Sequence, residues 1–135
     1  MIIDTMMFAY TLFKEKDKYE ESLAVLEKAD EIIVPDSFRA EFTNVAWQWV
    51  RAKNISEGDA FDSFEDIETL VDRVVGSEEL WIQALQLSIE SDHPAYDTLF
   101  VAAAIMHDEK VITYDKKLRS KFPDWVLSPD AFLAL

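Results

Sequence analysis

Short β-branched runs alternate with longer amphipathic stretches along the whole chain, and few architectures accept that alternation. Met1–Asp4, Glu31–Val34, Val71–Val75, Lys110–Thr113 and, more weakly, Trp125–Leu127 are too brief for helices and read as strands. Between them, apolar residues recur at helical spacing. Asp17–Lys28 carries Tyr19, Leu23 and Leu26. A helix from Ser37 places Phe42, Val45, Ala46, Trp49 and Val50 on one face. Ser56, with Asp59 three residues on, is a candidate N-cap for a stripe of Phe61, Phe64, Ile67 and Leu70 or Val71. Ser77 opens a helix to about Ser91, Pro94–Met106 is an alanine-rich buried helix, and Ser128–Leu135 is a terminal turn or two. Strands separated by helices need crossover connections, which predicts an α/β fold with a parallel sheet covered on both faces. Ligands of such sheets gather at the carboxyl ends of the strands. Asp4 and Asp115 stand just past two of those ends.

The 135 residues are read as one domain, 1–135, long enough to bury a core without staples. With no cysteine, disulfides and thiolate metal sites are excluded. The start lacks the basic and apolar regions of a signal peptide and no uncharged run could span a bilayer, so a soluble cytoplasmic protein is expected. A net charge of −14 argues against binding nucleic acid by a broad basic surface, though not against acting on it through metal ions. The acidity is uneven. Residues 54–97 hold twelve acids against Arg73 alone, whereas Lys110, Lys116, Lys117, Arg119 and Lys121 crowd around Asp115. Those basic side chains either position a phosphate backbone or form a solvated terminal turn.

Four acids, distant in sequence, fit a site for Mg²⁺: Asp4 after the first strand, Glu41 early in the third helix, Asp97 early in the apolar helix and Asp115 after the fourth strand. Two such ions can bracket a phosphodiester during in-line displacement. Each acid also has a plainer reading. Asp97 suits a helix N-terminus by its dipole, Asp4 and Asp115 could cap helices, and Glu41 could be a solvated face charge.

The segments Met1-Ile2-Ile3-Asp4, Glu41-Phe42-Thr43-Asn44, Tyr96-Asp97-Thr98-Leu99-Phe100-Val101-Ala102-Ala103-Ala104 and Val111-Ile112-Thr113-Tyr114-Asp115-Lys116-Lys117-Leu118 resemble the ordered motifs of PIN-domain proteins, most of all the small VapC-type toxins. The resemblance covers the whole chain. It implies a three-layer α/β/α sandwich with strand order 3-2-1-4-5 and Mg²⁺- or Mn²⁺-dependent endonucleolytic cleavage of RNA. By motif, Asp4, Glu41, Asp97 and Asp115 are the catalytic and metal-holding acids. Thr113 matches a hydroxyl acting behind the last acid or on phosphate, and Asn44 a polar group that orients Glu41. Lys116, Lys117 and Arg119 are the candidate RNA contacts. A cognate antitoxin and a homodimer are further implications. Met6 departs from the Ser or Asn common in relatives, and Leu118 from a polar group in some. Met6 is the feature favouring a rival reading, a catalytically inactive PIN-fold binding module. It also disfavours phosphatase and receiver readings, which need further acids beside Asp4.

His93, just before Pro94, is read as a contact at the start of a helix or a substrate contact, and His107 as a charge favoured by a helix C-terminus. Trp47 lies off its helix's apolar stripe and is the expected exposed aromatic anchor.

Overall fold

A computed structural model describes all 135 residues. Five short strands form one all-parallel sheet: β1 (Ile2–Ile3), β2 (Ile33–Pro35), β3 (Arg73–Val75), β4 (Val111–Ile112) and β5 (Val126–Leu127), in the order β3-β2-β1-β4-β5. The order implied by the family resemblance is the one found. Ile2 pairs with Ile33 on one side and Val111 on the other, and Ile3 pairs with Ile112. Central strands of a covered parallel sheet are apolar on both faces. Ile2, Ile3, Ile33, Val34, Val111 and Ile112 are all buried.

The helices flanking the sheet are α1 (Thr5–Leu12), α2 (Tyr19–Lys28), α3 (Ser37–Arg51), α4 (Glu57–Leu70), α5 (Ser77–Ser91), α6 (Ala95–His107), α7 (Lys116–Lys121) and α8 (Pro129–Leu133). Helix α6 lies against β1, β2 and β4. Its Val101-Ala102-Ala103-Ala104 run is fully buried, and alanines there let the helix approach the sheet closely. Helix α1 is apolar nearly all round and is enclosed by α2, α3 and α4. Phe8 and Phe38 meet with ring centroids 4.8 Å apart, locking α1 to α3.

Helix α4 differs from its sequence reading. Ser56 caps it as expected, accepting from the Asp59 N–H. The inward face, however, is Ala60, Ser63 and Ile67, while Phe61 is 71% exposed. Strand β3 is also shorter than expected, because Val71 ends α4 and the Asp72 carboxylate accepts the Ile32 N–H at 2.8 Å.

Polar ties fix the start of α6. The buried Thr98 hydroxyl donates to Ala84 O at 2.9 Å and so accepts from Ser88 Oγ at 2.7 Å, joining α6 to α5. Helix α5 ends at Asp92 in the left-handed conformation (φ 53°). Lys121, the last residue of α7, clasps that turn by donating its Nζ to Ser91 O (2.8 Å) and Asp92 O (2.6 Å).

Candidate functional site

The in-register pairing of β1 with β4 carries the chain ends Asp4 and Thr113 out side by side. The Thr113 hydroxyl donates to Asp4 Oδ2 at 2.7 Å and accepts from the Asp115 N–H at 3.0 Å. One buried hydroxyl therefore spans both acids' strand ends. Asp4 occupies the N-cap position of α1 but makes no side-chain cap bond, and its carboxylate is held by Thr113 instead. Asp115 does cap α7: its Oδ1 accepts from the Leu118 N–H at 3.0 Å.

Glu41 comes in from the second turn of α3, and its Oε2 accepts weakly from the Thr5 hydroxyl at 3.4 Å. Asn44 is exposed and makes no hydrogen bond to Glu41; Thr5 is the group that does. Asp97 lies in the first turn of α6, with Oδ2 2.7 Å from His93 Nε2. A proton on Nε2 makes the ring the donor of this bond and the carboxylate oxygen its acceptor. The His93 ring is buried, edge-on to Phe122, and its Nδ1 has no partner. Metal-ligating atoms of His93, Asp97 and Asp115 all lie within 4.8 Å of one another.

The acids feel each other. Burial pushes Asp4 up to about 6; the Thr113 hydrogen bond opposes this, and the charges of Asp97 and Asp115 add to it. Burial, then the charges of Asp4 and Asp97, push Glu41 up to about 7. All four sequence-derived acids are thus joined in one electrostatic cluster at the carboxyl edge of β1 and β4. Crowded half-buried carboxylates are destabilised in their charged forms unless a cation joins them. A set of carboxylate oxygens with one imidazole nearby fits a hard divalent ion.

His93 is the member that sequence reading left undecided. Its signal was the i, i+4 spacing to Asp97 across the start of a helix. Among the basic residues near Asp115, Arg119 donates to Thr113 O at 3.2 Å, Lys121 holds the α5 turn, and Lys110 donates to Asp124 O. Lys116 and Lys117 are exposed and make no ion pair. Met6 packs partly buried against the core, and Leu118 is inside it.

The family model described as "PIN domain" matches residues 1–121. The chain belongs to the PIN-domain family. This PIN domain is 24% identical over 125 residues to Ribonuclease VapC3 of Pyrobaculum aerophilum, covering 91% of this chain and 95% of that protein. Its fold is that of PAE2754 from the same organism (TM-score 0.75, 14% identity, 98% of this chain and 85% of that one). It also matches a chain of a toxin–antitoxin complex from Klebsiella pneumoniae (TM-score 0.69, 17% identity, 95% and 96% covered). No helix of this PIN domain is long and apolar enough to cross a membrane.

Proposed function

We propose that this PIN domain is a Mg²⁺- or Mn²⁺-dependent endoribonuclease, the toxin of a VapBC-type toxin–antitoxin pair, acting in the cytoplasm. The observation that carries the reading is the convergence of Asp4, Glu41, Asp97 and Asp115 on one strand edge, with Thr113 tied to Asp4 and to the backbone of Asp115. The similarity to Ribonuclease VapC3 supports RNA as the substrate.

The four carboxylates would hold the ion or ions. A bound divalent ion supplies an activated water for attack on phosphorus and charge neutralisation for the leaving oxygen. Thr113 keeps the Asp4 carboxylate aimed and prevents it from capping α1. His93 occupies one oxygen of Asp97 and leaves the other for the ion.

Partners follow from two exposed apolar features. A cavity of about 360 Å³ between α3 and α4, lined by Trp47, Val50, Phe61 and Phe64, is concave and suits an amphipathic segment of an antitoxin. The exposed stripe of Trp81, Ile82, Leu85 and Ile89 on α5 suits a second copy of the chain, since a two-fold dimer presents the same patch from both subunits.

The test is Asp97→Asn. It is expected to abolish Mg²⁺-dependent RNA cleavage while thermal unfolding stays cooperative, and undiminished cleavage overturns the assignment. Met6 favours the inactive-module reading. Wild-type protein that cleaves no RNA and arrests no growth on expression would establish that reading instead.

A further inference from the structure

We infer that a second groove, beside the acidic site and lined by Tyr10, Trp49, Asn54 and the lysines 14, 16 and 18, binds the RNA strand next to the bond that is cleaved. The inference rests on the ribonuclease reading and adds where the strand lies. Its volume is about 520 Å³, and Phe13 and Glu15 complete its lining.

Helix geometry sets the distance of the groove from the acids. Asp4 opens α1 and Tyr10 lies six residues on, about 9 Å along the axis at 1.5 Å per residue. Glu41, Val45 and Trp49 follow one another at i, i+4 and i+8 on α3, so Trp49 stands on the Glu41 face about 12 Å further along. Tyr10 and Trp49 meet across the two helices at 6.4 Å between centroids, and Tyr10 meets Tyr114, the neighbour of Asp115, at 5.6 Å. The three rings form one aromatic cluster that reaches the residue before Asp115.

Its chemistry is that of a single-stranded nucleic-acid site: partly exposed aromatic faces with cations around them. None of the three lysines is in an ion pair. Lys14 and Lys16 are exposed, and Lys18 Nζ sits 4.9 Å from the Tyr114 ring centroid and 5.8 Å from that of Tyr10. The one acid of the lining, Glu15, is turned toward the backbone, where its Oε2 accepts the Asp17 and Lys18 N–H groups at 2.9 and 2.8 Å. The backbone gives a separate sign. Helices α1 and α3 both end beside this groove in a left-handed lysine, Lys14 (φ 53°) and Lys53 (φ 60°), where glycine is the unstrained choice. Both turns thus carry an ammonium group on this side of the molecule, whereas the left-handed ends of α5 and α6 carry Asp92 and Asp108. By comparison, three of the five basic residues near Asp115 are engaged with backbone carbonyls.

The experiment measures binding of fluorescein-labelled oligouridylate by anisotropy, with Ca²⁺ in place of Mg²⁺, alongside steady-state cleavage of the same RNA with Mg²⁺. Lys14→Glu combined with Lys16→Glu is expected to weaken binding at least about ten-fold and to flatten the slope of log affinity against log salt by about 1.4. Trp49→Leu is expected to weaken binding about ten-fold by removing a stacking face. In cleavage, Lys14→Gln with Lys16→Gln, which keeps the turn polar, is expected to raise KM more than it lowers kcat. Cleavage by wild type with unchanged binding in the reversal variant overturns the groove and leaves the nuclease standing. Wild type that binds the oligonucleotide through these residues but never cleaves it overturns the nuclease reading alone. A poly-glutamate peptide that displaces the oligonucleotide equally well shows the groove to be an acidic-peptide site and overturns the RNA assignment.

Discussion

His93 Nε2 lies 2.7 Å from Asp97 Oδ2, with the imidazole inside the protein and the carboxylate partly exposed. The pair spans the junction of α5 and α6 and leaves one carboxylate oxygen of Asp97 for other ligands.

Removing that anchor is expected to weaken divalent metal binding about 10–100-fold, the usual effect of losing a group that orients a ligand. The comparison is His93→Leu against His93→Gln, whose amide retains a donor, by calorimetric titration of Mn²⁺ into RNA-free protein. In an Asp97→Asn background the His93→Leu change is expected to cost nothing further. Equal affinities for wild type and His93→Leu would show that the pair is only structural.

Asp4 and Glu41 bear on stability as well as on chemistry. Both are held above the ordinary carboxylate range when folded, at about 6 and about 7, so the native chain binds more protons than the unfolded one at mildly acidic pH. Their contribution to stability is complete below the ordinary range and is lost as pH rises through about 6 and about 7. The metal-free protein is therefore expected to melt at a lower temperature at about pH 8 than at about pH 5, as far as these two groups decide it. Mn²⁺ is expected to raise Tm far more at the higher pH, because the ion must displace protons at the lower one. A Tm increment from Mn²⁺ that is the same at both pH values would contradict this.

Thr113→Val retains shape and removes the hydroxyl that serves Asp4 and the Asp115 N–H. Loss of a hydrogen bond to a charged group is expected to lower stability by about 1.5–3 kcal/mol in urea unfolding near neutral pH. Below about pH 5, where Asp4 is protonated, the loss is expected to shrink. Cleavage is expected to fall at every pH.

Phe61→Glu is expected to leave urea stability within about 0.5 kcal/mol, since Phe61 is 71% exposed, yet to abolish capture of a co-expressed antitoxin. Copurification through the affinity-tagged variant reads the outcome, and an intact complex would move the antitoxin off the α3–α4 cavity.

The strands were legible as short apolar runs, most of them β-branched, and the helices between them call for parallel pairing, while the strand order was what the resemblance to PIN domains implied. The acids Asp4 and Asp115 were legible as strand-end residues for the same reason. What could not be read was rotation. Helical spacing at Phe61, Phe64 and Ile67 defines a stripe, but which stripe faces inward depends on how closely α4 can approach its neighbours. The small residues Ala60 and Ser63 win because they allow that approach, and Phe61 turns outward. Asn44 and Thr5 make the same point at the site. Both lie near an acid in sequence, yet only Thr5 is on the side of its helix that meets Glu41. Caps were ambiguous too: Asp4 and Asp115 both precede helices, and only Asp115 caps one, because Thr113 claims the Asp4 side chain.

The Lys121 clasp on the α5 turn separates possession of the acids from their arrangement. Asp4, Glu41, Asp97 and Asp115 all precede it in sequence, so a chain shortened just ahead of Lys121 would keep every acid. It would lose the tie that steadies the turn leading into His93, together with β5 and its edge of the sheet. The last fifteen residues, which contribute no acid to the cluster, thus act as a brace for one made almost entirely upstream.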